Sequence, residues 1–181
     1  MDMKKKLNLG CGRNIKKGYV NLDSVSLPGV DIVHDVEKLP LPFRDEEFDE
    51  IRCDNILEHI EYIAVLKDLY RILKPGGCVR IRVPHFSSRN NYVDPTHKKF
   101  FSMDTFEFFV ANSKIQKDYY FDFHFSKITH RKIKFFKKGL FWGNRLIEPL
   151  VNSSRKVQYL YESTFLCRLF PANDIVVELL K

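Results

Sequence analysis

The sequence has no long hydrophobic run. None of its apolar stretches approaches the ~18 consecutive residues that a membrane-spanning helix needs, so it predicts no transmembrane segment. Near the start, Lys4-Lys5-Lys6 is followed only by Leu7-Asn8-Leu9 before a glycine, which is too short for the apolar core of a secretory signal. From these features we expect a cytoplasmic protein.

Cysteines are few and scattered. Cys11, Cys53, Cys78 and Cys167 include no Cys-x-x-Cys pair. We therefore expect reduced thiols, with neither a disulfide framework nor a structural zinc site, and we assign no metal ligand.

Acidic residues are outnumbered by basic ones, 23 against 30, which gives a formal net charge of +7. Such a charge suits an anionic partner: nucleic acid, a lipid surface or a substrate bearing phosphate. A merely solvated basic surface fits the same number, so charge alone does not choose among these.

Short apolar runs alternate with helical patterns, which is typical of an α/β sheet. The first half contains predicted strands at Lys5–Leu9, Val20–Leu22, Asp31–Val33, Phe48–Cys53 and Cys78–Val83. A helix is predicted before the last strand, because apolar residues from Ile63 to Leu73 recur at spacings of three and four, and Pro75-Gly76-Gly77 ends it. Only Gly12 to Gly18 separate the first two strands, so this crossover is too short for a full helix.

Beyond His85 the sequence becomes aromatic and basic. Ser102 is placed to cap a short helix through Phe109. Alternating rings predict a strand at Tyr119–Phe125, with further strands at 127–136 and 174–180. In a helix predicted within 155–170, the apolar residues share one face that we expect to pack inwards: Val157, Leu160, Tyr161, Phe165 and Leu169.

The segment Leu7-Asn8-Leu9-Gly10-Cys11-Gly12 carries the strongest chemical signal. Glycines two residues apart after a strand let the backbone turn sharply and approach a ligand closely. A dinucleotide fingerprint needs a third glycine where this chain has Ile15, and a regular helix should follow. Both are missing, which disfavours a nicotinamide or flavin enzyme.

Five segments, in order, resemble the motifs of class I S-adenosylmethionine-dependent methyltransferases. They are Leu7–Gly12, Asn21-Leu22-Asp23, 34–43, 48–60 and 69–77. The compressed first crossover, Asp94-Pro95-Thr96-His97 and Phe170–Glu178 are similar to a small type-11-like subgroup often linked to polysaccharide or lipopolysaccharide assembly.

The resemblance implies a fold and a cofactor site. The expected fold is Rossmann-like: a mostly parallel seven-stranded α/β sheet with helices on both faces, in a single domain over 1–181. Residues 5–84 would bind the cofactor, S-adenosylmethionine, and 85–181 would form the substrate side. Asp23 would accept hydrogen bonds from the ribose hydroxyls, although a turn residue capping nearby amides also fits it. The residues expected at the cofactor are Asn8, Gly10, Cys11, Gly12, Asp23, Asp35, Val36 and Asn55.

The acceptor is less closely defined by the sequence. Asp54-Asn55 is not followed by the Pro-Pro-aromatic motif of amino-directed enzymes, and the Pro-Cys of cytosine-C5 enzymes is missing, which favours a small-molecule or glycan-related acceptor, methylated at oxygen. His97 is our predicted general base, oriented by Asp94. His85, the alternate base, and Arg89 are assigned to substrate binding.

Several alternatives stay open. Glu58 and His59 fit simple packing or solvation on a helix. The basic aromatic stretch 114–138 admits RNA methylation, although a solvated basic face with core-facing rings fits it too. A module that binds cofactor without turnover, and weak peripheral membrane contact through 155–170, are the remaining possibilities. Oligomeric state is not predicted.

Overall fold

A seven-stranded sheet forms the centre of the structure, a computed structural model that describes residues 4–117 and 119–181. Its strands are β1 (Lys6–Leu9), β2 (Val20–Asp23), β3 (Ile32–Val33), β4 (Phe48–Asp54), β5 (Leu73–Pro84), β6 (Lys127–Lys134) and β7 (Asp174–Leu180). They lie in the order β3-β2-β1-β4-β5-β7-β6. The first five are parallel, and β7 runs antiparallel to both of its neighbours. The predicted mostly parallel Rossmann-like sheet is confirmed.

Five α-helices accompany the sheet in the described part of the chain. They are α1 (Tyr62–Ile72), α2 (Asn90–Val93), α3 (Asn144–Val151), α4 (Arg155–Ser163) and α5 (Leu166–Leu169), with 3-10 turns at Leu57–His59, Thr105–Phe109 and Gly139–Phe141. The buried face of α1 carries Val65, Leu66, Leu69 and Ile72, so the predicted apolar stripe packs into the core only in part, because Ile63 is 44% exposed. The helix ends at Ile72, and β5 begins at Leu73, ahead of the Pro75-Gly76-Gly77 stop that the sequence predicted. No helix among the described residues is long and apolar enough to cross a membrane.

The link between β1 and β2 contains turns and no helix, as its length predicts. Side-chain amides satisfy its backbone instead. Asn8 Nδ2 donates to the Asn14 carbonyl (2.9 Å) and to Asn21 Oδ1 (2.9 Å), and Asn21 Oδ1 also accepts from the Lys16 amide (2.9 Å). Buried polar groups need hydrogen-bond partners, and a helix would supply them through its own backbone. In this link, the side chains of the two asparagines supply them instead.

The strand predicted at Tyr119–Phe125 is wrong. Only an isolated bridge joins Phe125 to Val110, and the preceding residues form turns. Phe125 and Phe123 are nevertheless buried, with the Phe125 ring 5.3 Å from that of Tyr70 on α1. The second half of the alternating pattern therefore reflects burial against α1, whereas Tyr119 is exposed.

The single helix predicted within 155–170 is also wrong. The chain breaks at Thr164, which is fully extended between α4 and α5. Tyr161 is buried, but Leu160, Phe165 and Leu169 are more than half exposed. Because the helix is interrupted at Thr164, the predicted apolar stripe does not form one buried face. Our expectation that this stripe packs against the core is wrong.

Candidate functional site

The loop after β1 is shaped by two glycines with positive φ, +61° at Gly10 and +49° at Gly12. A Cβ on Gly10 would lie 2.7 Å from the Ile56 side chain, so this glycine lets the loop after β1 approach the loop after β4. A Cβ on Gly12 would meet nothing within 4 Å. Gly12 therefore presents bare backbone to open space at the carboxyl edge of the sheet, where ligands bind in open α/β folds.

Asp23, at the end of β2, supports this loop directly. Its Oδ2 accepts a hydrogen bond from the Gly12 amide (2.7 Å), and its Oδ1 accepts one from the Val25 amide (3.1 Å). A carboxylate has about four acceptor positions, so the local contacts leave capacity for two vicinal hydroxyls. Capping and ribose binding are thus compatible at Asp23, and the open backbone at Gly12 together with this spare capacity fits S-adenosylmethionine.

Two of the remaining predicted cofactor residues, Asn55 and Asp35, have side chains that are at least partly exposed. Asn55 is exposed after β4, with φ +58°, and its amide donates to the Arg82 carbonyl (2.8 Å). Asp35 is half-buried and accepts from the Glu37 amide (3.1 Å).

Three predicted cofactor residues point inwards. Asn8 braces the crossover, Val36 lies in the hydrophobic core, and Cys11 is buried. Burial, and then the Asp23 charge, raise the pKa of the Cys11 thiol. Their contact with the cofactor stays a prediction.

His85 is placed differently from our substrate-binding assignment. Its side chain is fully buried, Nδ1 lies 2.8 Å from Ser87 Oγ, and Nε2 lies 3.0 Å from Glu162 Oε1. With both nitrogens engaged, His85 joins the end of β5 to α4, which is a positioning arrangement. Arg89, by contrast, is exposed just before α2, where it is accessible to an anionic group.

Asp94 does not orient His97 through a hydrogen bond. Asp94 Oδ2 lies 3.9 Å from His97 Nε2. Its Oδ1 instead accepts from the Thr96 amide (2.9 Å) and the Thr96 hydroxyl (2.6 Å). The carboxylate therefore holds the 94–97 turn, and through it Thr96.

Glu58 and His59, for which the sequence favoured no role, lie beside His97. The His59 and His97 rings are 4.6 Å apart, and ligand atoms of all three side chains lie within 4.8 Å of one another. The Lys98 and Lys99 amides donate to the Glu58 carbonyl (2.7 and 3.2 Å), which ties the two loops together. The signal in the sequence was an adjacent Glu-His after β4, but the contact with 97 is a tertiary one.

The Glu58 carboxylate is fully buried, and both of its oxygens lack a hydrogen-bond partner among the described residues. Burial, followed by the nearby Asp174 and Asp94 charges, raises its pKa to about 7. Burial, and then His97, lower the pKa of His59. His97 Nδ1 is likewise buried without a partner. We call Glu58, His59 and His97 the Glu-His-His cluster.

Comparison with known proteins agrees with this geometry. Residues 11–81 match the model of a methyltransferase domain. A demethylmenaquinone methyltransferase of Listeria welshimeri is 31% identical over 99 residues, 49% of this chain and 42% of the relative. Among solved structures, an S-adenosylmethionine-dependent methyltransferase from Archaeoglobus fulgidus superposes with a TM-score of 0.63 at 19% identity, covering 99% of this chain and 87% of the other.

A phosphoethanolamine N-methyltransferase from Haemonchus contortus, solved with S-adenosyl-L-methionine, gives a TM-score of 0.59 at 18% identity and covers 100% of this chain and 49% of the other. Residues 11–81 therefore resemble a methyltransferase domain, and the chain shares the fold of solved S-adenosylmethionine-dependent methyltransferases. The chain spans less than half the length of the curated relatives it matches.

Proposed function

We propose that the chain transfers a methyl group from S-adenosylmethionine to a hydroxyl oxygen of a small-molecule or glycan-related acceptor. The observation that carries this proposal is the open backbone at Gly12 beside the Asp23 carboxylate, at the carboxyl edge of the sheet. The matched relatives are named for demethylmenaquinone, which supports a small molecule as the acceptor class.

The chemistry asks the protein mainly for alignment. S-adenosylmethionine supplies a methyl group on positively charged sulfur, which is activated for in-line displacement. The acceptor oxygen forms the new O–C bond, the S–C bond breaks with its electron pair left on sulfur, and the hydroxyl proton leaves the acceptor. Gly12 and Asp23 would hold the cofactor, and alignment alone can supply several kcal/mol of the barrier.

We propose that the acceptor hydroxyl is activated at His97. This histidine lies beyond β5, and the Glu58 contact with Lys98 and Lys99 fixes its loop against the end of β4. Its Nδ1, buried and unpartnered, is the reactive position. Asp94 contributes by positioning Thr96 and the turn.

Alanine in place of Asp23 should weaken S-adenosylmethionine binding by about 1.5–3 kcal/mol, the usual loss for hydrogen bonds to a charged group. The Gly12 amide would also lose its acceptor. Asp23→Asn keeps one acceptor oxygen and should lose less. Calorimetric titration of the three proteins measures this, with melting curves as the folding control. Equal affinities would remove Asp23 from the cofactor site.

RNA methylation gains no support from the basic segment around β6. Arg131 pairs with Glu107 at 2.6 Å, while Lys132 and Lys137 both pair with Glu148, at 3.0 and 2.8 Å. Part of this charge is thus used within the fold. An assay of S-adenosylhomocysteine formation, with nucleotide sugars and lipid-linked glycans as acceptors, distinguishes an enzyme from a module that binds the cofactor without turnover. Product formation with any acceptor identifies an enzyme.

We further propose that the acceptor is met at an anionic lipid surface. The helical region from 136 to 170 exposes a set of large apolar side chains, here called the apolar face: Phe136, Phe141, Trp142, Leu146, Leu150, Tyr159, Leu160, Phe165 and Leu169. Phe141, Leu146 and Leu169 line one open cavity in this region, and large exposed apolar patches mark interaction sites. An amphipathic surface that combines aromatic and basic side chains is typical of helices lying in a membrane interface.

Charge supports a lipid partner for the apolar face. The region 136–170 contains six basic residues and two acidic ones, Glu148 and Glu162. Glu148 is buried in its lysine pairs, and Glu162 accepts from the Met103 amide (2.9 Å). Both acids therefore point into the fold, while Lys138, Arg145, Lys156 and Arg168 are exposed. Anionic lipid headgroups would complement the charge of these exposed basic side chains.

The only tryptophan of the chain, Trp142, lies on this face and reports its environment. Its fluorescence should shift to the blue with phosphatidylglycerol vesicles and not with phosphatidylcholine vesicles, and high salt should reverse the shift. Leu146→Ser with Phe165→Ser should abolish vesicle binding, whereas Val33→Ser, at the opposite sheet edge, should not. An unchanged spectrum with either lipid, or self-association that buries Trp142 without vesicles, would contradict this proposal.

A further inference from the structure

We propose that the Glu-His-His cluster is a binding site for one divalent transition-metal ion, with Glu58, His59 and His97 as protein ligands. Ion binding itself is independent of the proposed function, whereas its use in methyl transfer rests on it. The proposal departs from the sequence prediction, which assigned no metal ligand because it considered cysteine spacing.

The first argument is the missing partner of Glu58. A carboxylate taken fully out of water is costly unless it is paired, protonated or coordinated. The Arg82 guanidinium, whose charge acts on Glu58, donates to Asp174 through Nε at 2.9 Å, and both Glu58 oxygens lack a hydrogen bond. His97 Nδ1 is unpartnered in the same cluster, with a side chain only 7% exposed. A cation between them satisfies both.

The second argument is the orientation of the histidines. The Thr96 hydroxyl donates to Asp94, so at its 2.8 Å contact with His59 Nδ1 it accepts the ring N–H. His59 Nε2 is then left with its lone pair. His59 thus has the arrangement of a ligand histidine, in which an outer group that ends on a carboxylate holds the nitrogen that does not bind the ion. His97 Nε2 lies 3.9 Å from Asp94 Oδ2, beyond hydrogen-bond distance, and its Nδ1 is the buried nitrogen without a partner.

The third argument is the chemistry of the donor set. Two imidazoles and one carboxylate suit Zn²⁺, Fe²⁺ or Co²⁺ and not Mg²⁺, which prefers oxygen ligands. The ligand atoms lie within 4.8 Å of one another, so bonds of about 2.0–2.2 Å require a small inward movement of the side chains. Three protein ligands leave coordination positions open, and both histidines are only partly buried as whole residues.

In methyl transfer the open positions would receive the acceptor hydroxyl. A bound divalent cation lowers the pKa of a coordinated hydroxyl, whose proton then passes to water. The oxygen forms the O–C bond as the S–C bond breaks towards sulfur. His97 would then act on the acceptor through the ion that it binds. Direct removal of the hydroxyl proton by the His97 imidazole is the alternative mechanism.

The test titrates chelator-treated protein with Zn²⁺ and, separately, with Co²⁺, whose visible absorption reports nitrogen and oxygen ligation. We expect one ion per chain. Glu58→Gln and His97→Ala should each weaken binding at least about 100-fold, and Thr96→Val, which frees His59 Nδ1, by about 10–100-fold. His130→Ala, an exposed histidine on β6, is the matched control and should bind like the wild type.

Glu58→Gln removes a buried unpaired charge, so this variant should melt no lower than the metal-free wild type, and its loss of binding then cannot be attributed to unfolding. Absence of Co²⁺ binding, or binding that Glu58→Gln and His97→Ala leave unchanged, would overturn the proposal. Titrating S-adenosylmethionine into the same metal-free protein tests the proposed function separately. Failure at the metal site and failure at the cofactor site are thereby distinguished.

Discussion

Valine in place of Gly12 should abolish S-adenosylmethionine binding while the protein still folds. The added side chain projects into the open space above the loop after β1, where nothing lies within 4 Å of the Cβ position. A cofactor in that space would be excluded sterically. The variant should also lose about 1–3 kcal/mol of stability, because φ at Gly12 is +49° and a β-branched residue is strained there.

Gly18→Val separates these two effects. Gly18 has φ +81° and equally open surroundings, but it precedes β2 and lies at the opposite, amino edge of the sheet. Both variants should therefore melt lower than the wild type, and only Gly12→Val should fail to bind in calorimetry. If the folded Gly12→Val protein bound normally, the loop after β1 would not be the cofactor loop.

Alanine in place of His97 should lower kcat by roughly 10²–10⁴-fold with nearly unchanged affinity for S-adenosylmethionine. The reason is the separation of roles: the predicted cofactor contacts lie at the ends of β1 and β2, whereas His97 lies on the 94–97 turn beside Glu58. Steady-state rates are measured on the acceptor found in the product screen, and affinity by calorimetry.

His130→Ala serves as the matched variant for this measurement, since it removes an exposed imidazole on β6, away from the cluster. Asp94→Asn should give a smaller loss than His97→Ala, because the amide still accepts from Thr96 while the ring stays in place. An unchanged rate in His97→Ala would remove this histidine from the reaction.

The first half of the fold was predictable because local patterns suffice there. The strand boundaries up to β4 agree within two residues, since each strand is a short apolar run bounded by turn residues. The shortness of the crossover was evident from Gly12 to Gly18. The hydrogen bonds that stabilise this crossover were not evident from the sequence, because the Asn8–Asn21 contact joins neighbouring strands and depends on their register.

The second half was less predictable because burial there is set by tertiary contacts. Tyr119–Phe125 has the periodicity of a strand, yet it joins no strand of the sheet, and two of its rings, Phe123 and Phe125, lie against Tyr70 on α1. The stripe from Leu160 to Leu169 has helical spacing, but the break at Thr164 leaves it exposed. Periodicity reports which side chains are apolar, and not which element or partner covers them.

The Glu-His-His cluster illustrates the same limit at the site. Glu58 and His59 follow β4, whereas His97 follows β5. No pattern in either segment predicts that the two segments are in contact. Their contact depends on the Lys98 and Lys99 amides reaching the Glu58 carbonyl. Gly12 and Asp23 could be singled out because a family resemblance spans that part of the chain, and their contact with the cofactor stays a prediction.

Calorimetric titration of the wild-type chain with S-adenosylmethionine tests the central claim most directly. We predict saturable binding at one site, no comparable heat with NAD, and a higher Tm in the presence of the cofactor, because a ligand that binds only the native state stabilises it. No detectable affinity at millimolar S-adenosylmethionine, in protein shown to be folded, would contradict our proposal that this chain is a methyltransferase.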